Sequence, residues 1–263
     1  MRIAVLLKEV PDTYSDRTMN LETGLTDRTG DVVADEVGER AVEAALRIAE
    51  AAGDSTVDIL SVGPESSVGS IRKGIAMGAA EAYLVSDEKL IGADLTLTAE
   101  VLAALVKKNG YDLVVTGATS SDGASGVIAA MVGELLAVPA LTNLTDLTVE
   151  GTTVTATQAS DGAVVELTCE LPAVAAVSDE FPDARFPNFK GLMAAKKKEI
   201  NAVTLDELGV DPEDWTHPRA IVVDIAQRPA RERGEIINGN SEAAAKLVDF
   251  LESKNLTTRE ARA

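Results

Sequence analysis

The clearest candidate for a functional site is a stretch of small residues that follows an apolar run. Residues 112–126 read DLVVTGATSSDGASG. A glycine-, serine- and threonine-rich turn between a strand and a helix can direct several backbone N–H groups and hydroxyls at one point, as a nucleotide phosphate requires. A connection that is simply built of small residues would look the same. Residues 117–128, called the small-residue loop below, therefore indicate either a phosphate site or an ordinary turn.

Residue types that carry acid–base, nucleophilic or metal chemistry are few. His217 is the only histidine and Cys169 the only cysteine, which excludes a histidine-based triad, a histidine metal cluster and an internal disulfide. Ser121 precedes Asp122, but serines without a neighbouring base form turns and caps more often than nucleophiles. The loop contains no Walker-A lysine, and no GxGxxG motif follows the first apolar run. The sequence predicts a nucleotide site without catalytic residues.

The composition is that of a folded protein with an acidic surface. Of the 263 residues, 46% are hydrophobic, and 43 acidic against 24 basic residues give a net charge of −19. This charge disfavours nucleic-acid coating and a basic membrane face, and it suits a cytoplasm of very high salt. The N-terminal MRIAVLL is too short for a secretory signal, and no run approaches the ~20 apolar residues of a membrane span. We expect a cytoplasmic protein from a halophilic organism.

Strands and helices alternate through the first half of the chain. Helical periodicity covers residues 37–52 and 94–110. This alternation predicts an α/β fold of the Rossmann-like type, with a parallel β-sheet sandwiched by helices and ligands at the carboxyl ends of its strands. The four predicted strands are short, continuous apolar runs at residues 3–7, 57–63, 82–86 and 112–117.

The pattern changes after Pro139. Residues 147–177 alternate threonine, valine and leucine around two turn signals, Glu150-Gly151 and Asp161-Gly162. This pattern predicts antiparallel hairpins that extend the sheet. Further on, a proline-punctuated segment precedes an amphipathic helix predicted over residues 241–256. We expect two domains, a nucleotide-binding domain over 1–200 and a C-terminal arm over 201–263. The arm is expected to pack on a partner, with docking on its own core as the alternative.

Five stretches together resemble the beta subunit of electron-transfer flavoproteins. They are IAVLLKEVPDT, DEVGERAVEAALRIAE, SVGPESSVGSIRKGIAMGAAEAYLVSD, YDLVVTGATSSDG and GAVVELTCELPAVAAVSDEFPDARFPNFKGLMAAKKKEI, in the family's order and over nearly the whole chain. The resemblance implies an electron carrier without enzymatic residues of its own, which joins an FAD-bearing alpha subunit. It further implies that the heterodimer carries electrons, as in fatty acid oxidation, from acyl-CoA-dehydrogenase-type flavoenzymes to a membrane quinone oxidoreductase.

The resemblance also implies a ligand for the small-residue loop, which is AMP or, in electron-bifurcating members, a second FAD. Its sequence DGAS is closer to the bifurcating DGDT than to the AMP type, and Val127 stands where the family usually has glutamine. The residues carried over by position are Leu6, Asp35, Glu36, Val37, Gly38, Val62, Gly117, Ala118, Thr119, Ser120, Ser121, Asp122, Gly123, Ala124, Ser125, Gly126, Val127 and Ile128.

By the same resemblance, residues 185–198, RFPNFKGLMAAKKK, form the recognition segment that docks dehydrogenases. Phe189 takes the place of the family's leucine anchor. A lysine run is also typical of a solvated surface, which is the alternative interpretation. The predicted docking residues are Arg185, Phe186, Phe189, Leu192, Met193, Lys196, Lys197 and Lys198.

A second function class shares the parallel sheet and the phosphate loop. A stand-alone adenine-nucleotide-binding stress-type protein, or a small nucleotide-using enzyme, needs neither the lysine run nor the arm. These two features favour a subunit of a complex.

Overall fold

The apolar runs of the first half form the centre of a nine-stranded sheet, in the order β11-β5-β4-β1-β6-β10-β7-β8-β9, while β2 and β3 form a separate antiparallel pair. The seven strands from β11 to β7 in that order pair in parallel, which confirms the predicted α/β fold. The structure is a computed structural model that describes residues 1–237, 239 and 242–257. Its strands are β1 (Arg2–Leu6), β2 (Glu9–Pro11), β3 (Val32–Ala34), β4 (Thr56–Val62), β5 (Glu81–Val85), β6 (Leu113–Gly117), β7 (Ala140–Glu150), β8 (Thr153–Ser160), β9 (Ala163–Glu170), β10 (Ala173–Val177) and β11 (Asn201–Val203).

Helices cover both faces of the parallel strands. Along β1, Ile3 and Val5 belong to an apolar cluster with α1 and α2, whereas Ala4 and Leu6 belong to a second cluster with α3 and α4. Burial on both faces explains why this strand is a continuous apolar run. The helices are α1 (Glu36–Ala52), α2 (Val68–Met77), α3 (Leu95–Asn109), α4 (Ile128–Leu136), α5 (Phe189–Lys197), α6 (Leu205–Leu208) and α7 (Ala243–Ser253), with short 3-10 turns at Glu65–Ser67 and Glu88–Leu90.

The antiparallel extension is smaller than predicted. β7, β8 and β9 pair antiparallel as expected, with Gly151 and Gly162 in the left-handed conformation at the two turns. The last run, AVAAV, is not part of the hairpins, because β10 lies between β6 and β7 and is parallel to both. All five of its residues are buried. A strand covered on both faces has no polar alternation, and this distinguishes it from β9.

The chain divides into two compact units, Met1–Ile225 and Ala226–Ala263. The predicted arm began at residue 201, whereas residues 201–225 fall in the first unit. There β11 pairs with β5, α6 packs on α3, and Arg219 forms an ion pair with Glu100 of α3 at 2.7 Å.

In the second unit, residues 226–237 form no helix or strand and are largely exposed. The predicted helix is present as α7, where Leu247, Val248 and Phe250 are each about half exposed. Residues 238, 240, 241 and 258–263 of the predicted arm lie outside the described residues. Among the residues that the structure describes, no helix is long and apolar enough to cross a membrane.

Candidate functional site

The small-residue loop leaves the sheet where the strand order reverses. β1 lies between β4 and β6, so the chain that follows β1 builds the sheet in one direction and the chain from β6 onward builds it in the other. In open parallel sheets, the crevice beyond the carboxyl ends of two such strands is where ligands bind. The loop begins at the carboxyl end of β6, beside the end of β1.

The start of the loop packs tightly on the first turn of α1. A Cβ atom at Gly117 would lie 3.1 Å from the carbonyl carbon of Val37 and 3.2 Å from the nitrogen of Gly38. Asp35, which is buried, caps this helix by accepting a hydrogen bond from the N–H of Gly38 at 3.1 Å. Its second oxygen accepts from the N–H of Ser121 at 2.9 Å. One carboxylate therefore fixes the loop to α1.

Asp122 is the most strongly paired residue of the loop. Its buried carboxylate contacts Lys8 Nζ at 2.7 Å and Arg28 Nη2 at 2.5 Å. Burial alone would raise the pKa of Asp122, but hydrogen bonds from Lys8, Ser120 and Arg28 and the charge of Lys8 outweigh it and hold the pKa well below its usual range. Asp122 is therefore ionised at neutral pH and keeps two cations beside the loop.

The rest of the loop presents backbone groups and small hydroxyls. Ala124 and Gly126 have left-handed φ values of 49° and 67°. The Oγ atom of Ser121 is buried and has no hydrogen-bond partner among the described residues. No side chain in the described part of the chain caps the N-terminus of α4 at Val127, so the N–H groups of its first turn are available to an acceptor.

The predicted nucleotide residues outside the loop fall into two groups, one around the start of α1, where Glu36 is the first helical residue, and one at the ends of two strands. Asp35, Val37 and Gly38 lie against the loop, as described above. Leu6 and Val62 end the neighbouring strands β1 and β4 at the same edge of the sheet. The structure therefore places both groups at the carboxyl edge from which the loop leaves.

Three cations at the loop were missed by sequence reasoning. Lys8 and Arg28 bind Asp122, and Arg17 donates a hydrogen bond to the carbonyl of Ser121. Lys8 directly follows the first apolar run, and that position at the end of a central strand was a usable signal. Arg17 and Arg28 lie in the irregular connection between β2 and β3, where no pattern marks them.

The recognition segment presents apolar side chains on the short helix α5 and just before it. Phe186 and Phe189 are 96% and 79% exposed, and Leu192 and Met193 are also exposed. Asn188 caps the helix by accepting a hydrogen bond from the N–H of Gly191 at 2.8 Å. Lys196 and Lys197 lie at its C-terminal end and are exposed.

Two of the predicted docking cations bind other parts of the chain. Arg185 contacts Glu43 at 2.6 Å and Glu50 at 2.5 Å, and both carboxylates belong to α1. Lys198 contacts Glu81 of β5 at 2.5 Å. The charged and large apolar side chains that the segment offers to solvent are thus Phe186, Phe189, Lys190, Leu192, Met193, Lys196 and Lys197.

Metal ligands are not clustered in the described part of the chain, where no group of three or more His, Cys, Asp and Glu side chains could hold an ion. The single histidine, His217, lies 2.9 Å from Glu100.

Comparison with known proteins identifies the family. A model described as the electron transfer flavoprotein domain matches residues 23–208. A Mycobacterium tuberculosis (strain ATCC 25618 / H37Rv) protein named electron transfer flavoprotein subunit beta is 37% identical over 262 residues, covering 97% of this chain and 98% of its own. The Bacillus subtilis (strain 168) protein of that name is 30% identical over 257 residues, covering 97% and 98%. Subunit CarD of the caffeyl-CoA reductase-Etf complex from Acetobacterium woodii is 31% identical over 265 residues, covering 97% and 100%. The chain therefore belongs to the beta-subunit family of electron transfer flavoproteins.

Proposed function

We propose that this chain is the beta subunit of a cytoplasmic, heterodimeric electron transfer flavoprotein. It binds one adenine nucleotide, AMP or FAD, in a structural role at the small-residue loop. It docks acyl-CoA-dehydrogenase-type flavoenzymes through the recognition segment. Electrons then pass through the FAD of the alpha subunit towards a membrane quinone oxidoreductase. The chain itself is a carrier subunit and not an enzyme.

The observation that carries the nucleotide assignment is the unpaired polar surface of the loop. The buried Ser121 Oγ lacks a partner among the described residues, and the first turn of α4 lacks a side-chain cap. Buried polar atoms in folded proteins nearly always have hydrogen-bond partners. A phosphate oxygen at the start of α4 would supply an acceptor to the helix N–H groups and to the serine hydroxyl.

Each part of the site has a distinct task in this proposal. Backbone N–H groups of residues 125–128 bind the phosphate, and Lys8 and Arg28 offset its charge. Asp35 keeps the loop on α1. The flavin of the alpha subunit supplies the redox chemistry, so this chain positions groups and excludes water.

The docking assignment rests on the exposed side chains of Phe186, which precedes α5, and Phe189, the first residue of α5. The same segment carries the exposed Lys196 and Lys197, in a protein of net charge −19. Aromatic side chains surrounded by polar residues are typical of the few positions that dominate a protein interface.

The alternative of a stand-alone nucleotide-binding protein or enzyme has less support. The chain is similar over 97% of its length to proteins named as subunits, and its exposed α7 offers an apolar surface to a partner. The acidic composition supports a high-salt cytoplasm as the setting of the complex.

The nucleotide assignment can be tested by the content of the purified heterodimer. We expect about one AMP, or one FAD beyond that of the alpha subunit, per beta chain when the denatured protein is analysed by mass spectrometry. Gly126→Val should reduce this content and the melting temperature together, because a β-branched residue at a φ of 67° distorts the loop and bound ligand stabilises the folded state.

Gly151→Val is the matched control. Gly151 has a φ of 64° but lies in the turn between β7 and β8, so its replacement should lower the melting temperature without changing nucleotide content. Equal nucleotide content in Gly126→Val and in the wild type would exclude the small-residue loop as the site.

A further inference from the structure

The recognition segment is tied to the protein at its first residue. Arg185 donates to the carboxylate of Glu43 from its backbone N–H at 3.2 Å and from Nε at 2.6 Å. Glu43 is only 4% exposed and also accepts from Arg47 at 2.7 Å. Burial alone would raise the pKa of Glu43, but the hydrogen bonds from Arg185 and Arg47 lower it. Glu43 is thus an ionised, buried acceptor that binds both Arg185 and Arg47.

The end of the segment is tied in a different way. Arg72 of α2 donates hydrogen bonds to the carbonyl oxygens of Ala195 and Lys198, the latter at 2.7 Å. The last carbonyls of a helix have no partner within the helix. Arg72 therefore caps the C-terminal end of α5.

The middle of the segment lies directly on α2. A Cβ atom at Gly191 would overlap the carbonyl oxygen of Ala76, which belongs to α2. Ala195, one turn later on the same face, is buried. Only glycine permits α5 to approach this closely.

We infer that Glu43 and Arg72 are positioning residues for partner docking. They hold the recognition segment in one conformation, so that the backbone that carries the exposed Phe186 and Phe189 is ordered before a partner binds. A segment that is already ordered loses less conformational entropy when a partner binds. This inference rests on the proposed docking role of the segment, and it assigns pre-organisation of that docking to residues on α1 and α2.

The test uses the purified heterodimer, with an acyl-CoA dehydrogenase that reduces the wild type as the electron donor. Glu43→Gln keeps the side-chain volume but removes the charge that binds Arg185. We expect the KM for the heterodimer to rise by about 3- to 10-fold while kcat stays within about twofold. Trypsin should also cleave after Lys190, Lys196 and Lys197 several times faster under native conditions.

Glu39→Gln is the matched control on the same helix. Glu39 pairs with Lys73 of α2 and contacts no residue of the segment within the described structure, so its replacement should change neither KM nor cleavage. Arg72→Gln provides the same test from the other end, and it replaces Glu43→Gln if that variant does not assemble.

Phe189→Ala separates this inference from the docking role itself. If Phe189→Ala raises KM but Glu43→Gln and Arg72→Gln do not, the positioning role is wrong, whether or not cleavage is faster. If Phe189→Ala leaves KM unchanged, the docking role is wrong and the positioning role falls with it. The inference is supported if KM rises in all three variants and trypsin cleaves only Glu43→Gln and Arg72→Gln faster than the wild type.

Discussion

The carboxylate of Asp122 organises the small-residue loop through its charge. Its side chain is 2% exposed, whereas those of Lys8 and Arg28 are 46% and 34% exposed. The two cations can therefore be solvated when the carboxylate is lost, but the carboxylate depends on them. Removal of the charge on Asp122 should therefore destabilise the loop, whereas Lys8 and Arg28 lose little because water can solvate them.

Asp122→Asn should lower the free energy of unfolding by about 1–3 kcal/mol at pH 7, because charge-assisted hydrogen bonds to a buried group are lost. The pKa of Asp122 in the folded state is lowered from the ordinary value of 3.8. Its stabilisation is therefore present above pH 3.8 and decreases as the pH falls below it. Denaturant titrations of both proteins between pH 3 and 7 measure this difference.

Asp161→Asn is a suitable control for that titration. Asp161 also precedes a glycine, but it is exposed in the turn between β8 and β9. Its replacement should change stability little at any pH. A pH-independent loss in Asp122→Asn would show that packing of the amide, and not charge, is responsible.

Single residues show where sequence reasoning stops. The glycines and hydroxyls of the loop are contiguous, so their pattern was readable. Lys8 and Arg28 reach Asp122 across 114 and 94 residues of sequence, and such pairs depend on the folded topology. The contact between Arg185 and Glu43 was not predicted for the same reason, because 142 residues of sequence separate them.

At the scale of elements, strands with both faces buried were the easiest to predict. The run predicted over residues 57–63 is β4, Thr56–Val62, and the run over 112–117 is β6, Leu113–Gly117. β10 was misassigned because its position depends on a long-range crossover between β6 and β7. Its composition matches either a hairpin strand or a central strand, and only its complete burial distinguishes them.

The helix α5 permits a direct test of docking. Phe189→Ala should slow electron transfer at sub-saturating dehydrogenase by tenfold or more, because truncation of an aromatic anchor costs about 2 kcal/mol or more and each 1.4 kcal/mol is about tenfold. Phe189 is 79% exposed, so flavin content, nucleotide content and melting temperature should be nearly unchanged. Stopped-flow measurements of flavin reduction give the rate.

Val164→Ala is the matched control for exposure. Val164 is 77% exposed on β9, which is not part of the recognition segment. The heterodimer with Val164→Ala should be reduced at the wild-type rate. Wild-type transfer in Phe189→Ala would mean that dehydrogenases dock elsewhere.

At the scale of the whole molecule, the excess of acidic residues determines how stability depends on salt. With a net charge of −19 and an isoelectric point near 4.4, repulsion is long-ranged at low ionic strength. The Debye length falls from about 10 Å at 0.1 M to about 3 Å at 1 M salt. We therefore expect the melting temperature at pH 7 to rise by about 5–10 °C between 0.1 and 1 M KCl.

The same scan at pH 4.5 is the control for that salt effect. The net charge is close to zero there, so salt should change the melting temperature little. An equal rise in melting temperature at both pH values would mean that salt acts through apolar burial. The charge-based argument for adaptation to high salt would then be wrong.

Truncation after Ile225 tests the role of the second unit. Among the described residues, the two apolar clusters end at Val210, so the melting temperature should change by only a few degrees. Binding to the alpha subunit should weaken by tenfold or more, because Leu247, Val248 and Phe250 would no longer contribute about 25 cal/mol per Å² of buried apolar surface. Calorimetry and titration of the alpha subunit measure the two effects. Unfolding of the truncated chain would instead place α7 in its own core.

The attachment of α5 to α1 and α2 has a practical consequence for engineering. Under the proposed docking role, a designer who wishes to redirect this subunit to another flavoenzyme would first transplant residues 185–198 from a relative. The transplanted peptide needs Glu43 and Arg72 in the recipient to bind its two ends. It also needs space beside the carbonyl oxygen of Ala76, where the backbone of α5 passes close enough to require glycine. Donor and recipient should therefore be matched at these three positions before the exposed side chains are compared. A chimera that exchanges only residues 185–198 is expected to express and fold. Its new side chains would then lie on a segment that α1 and α2 do not hold in place.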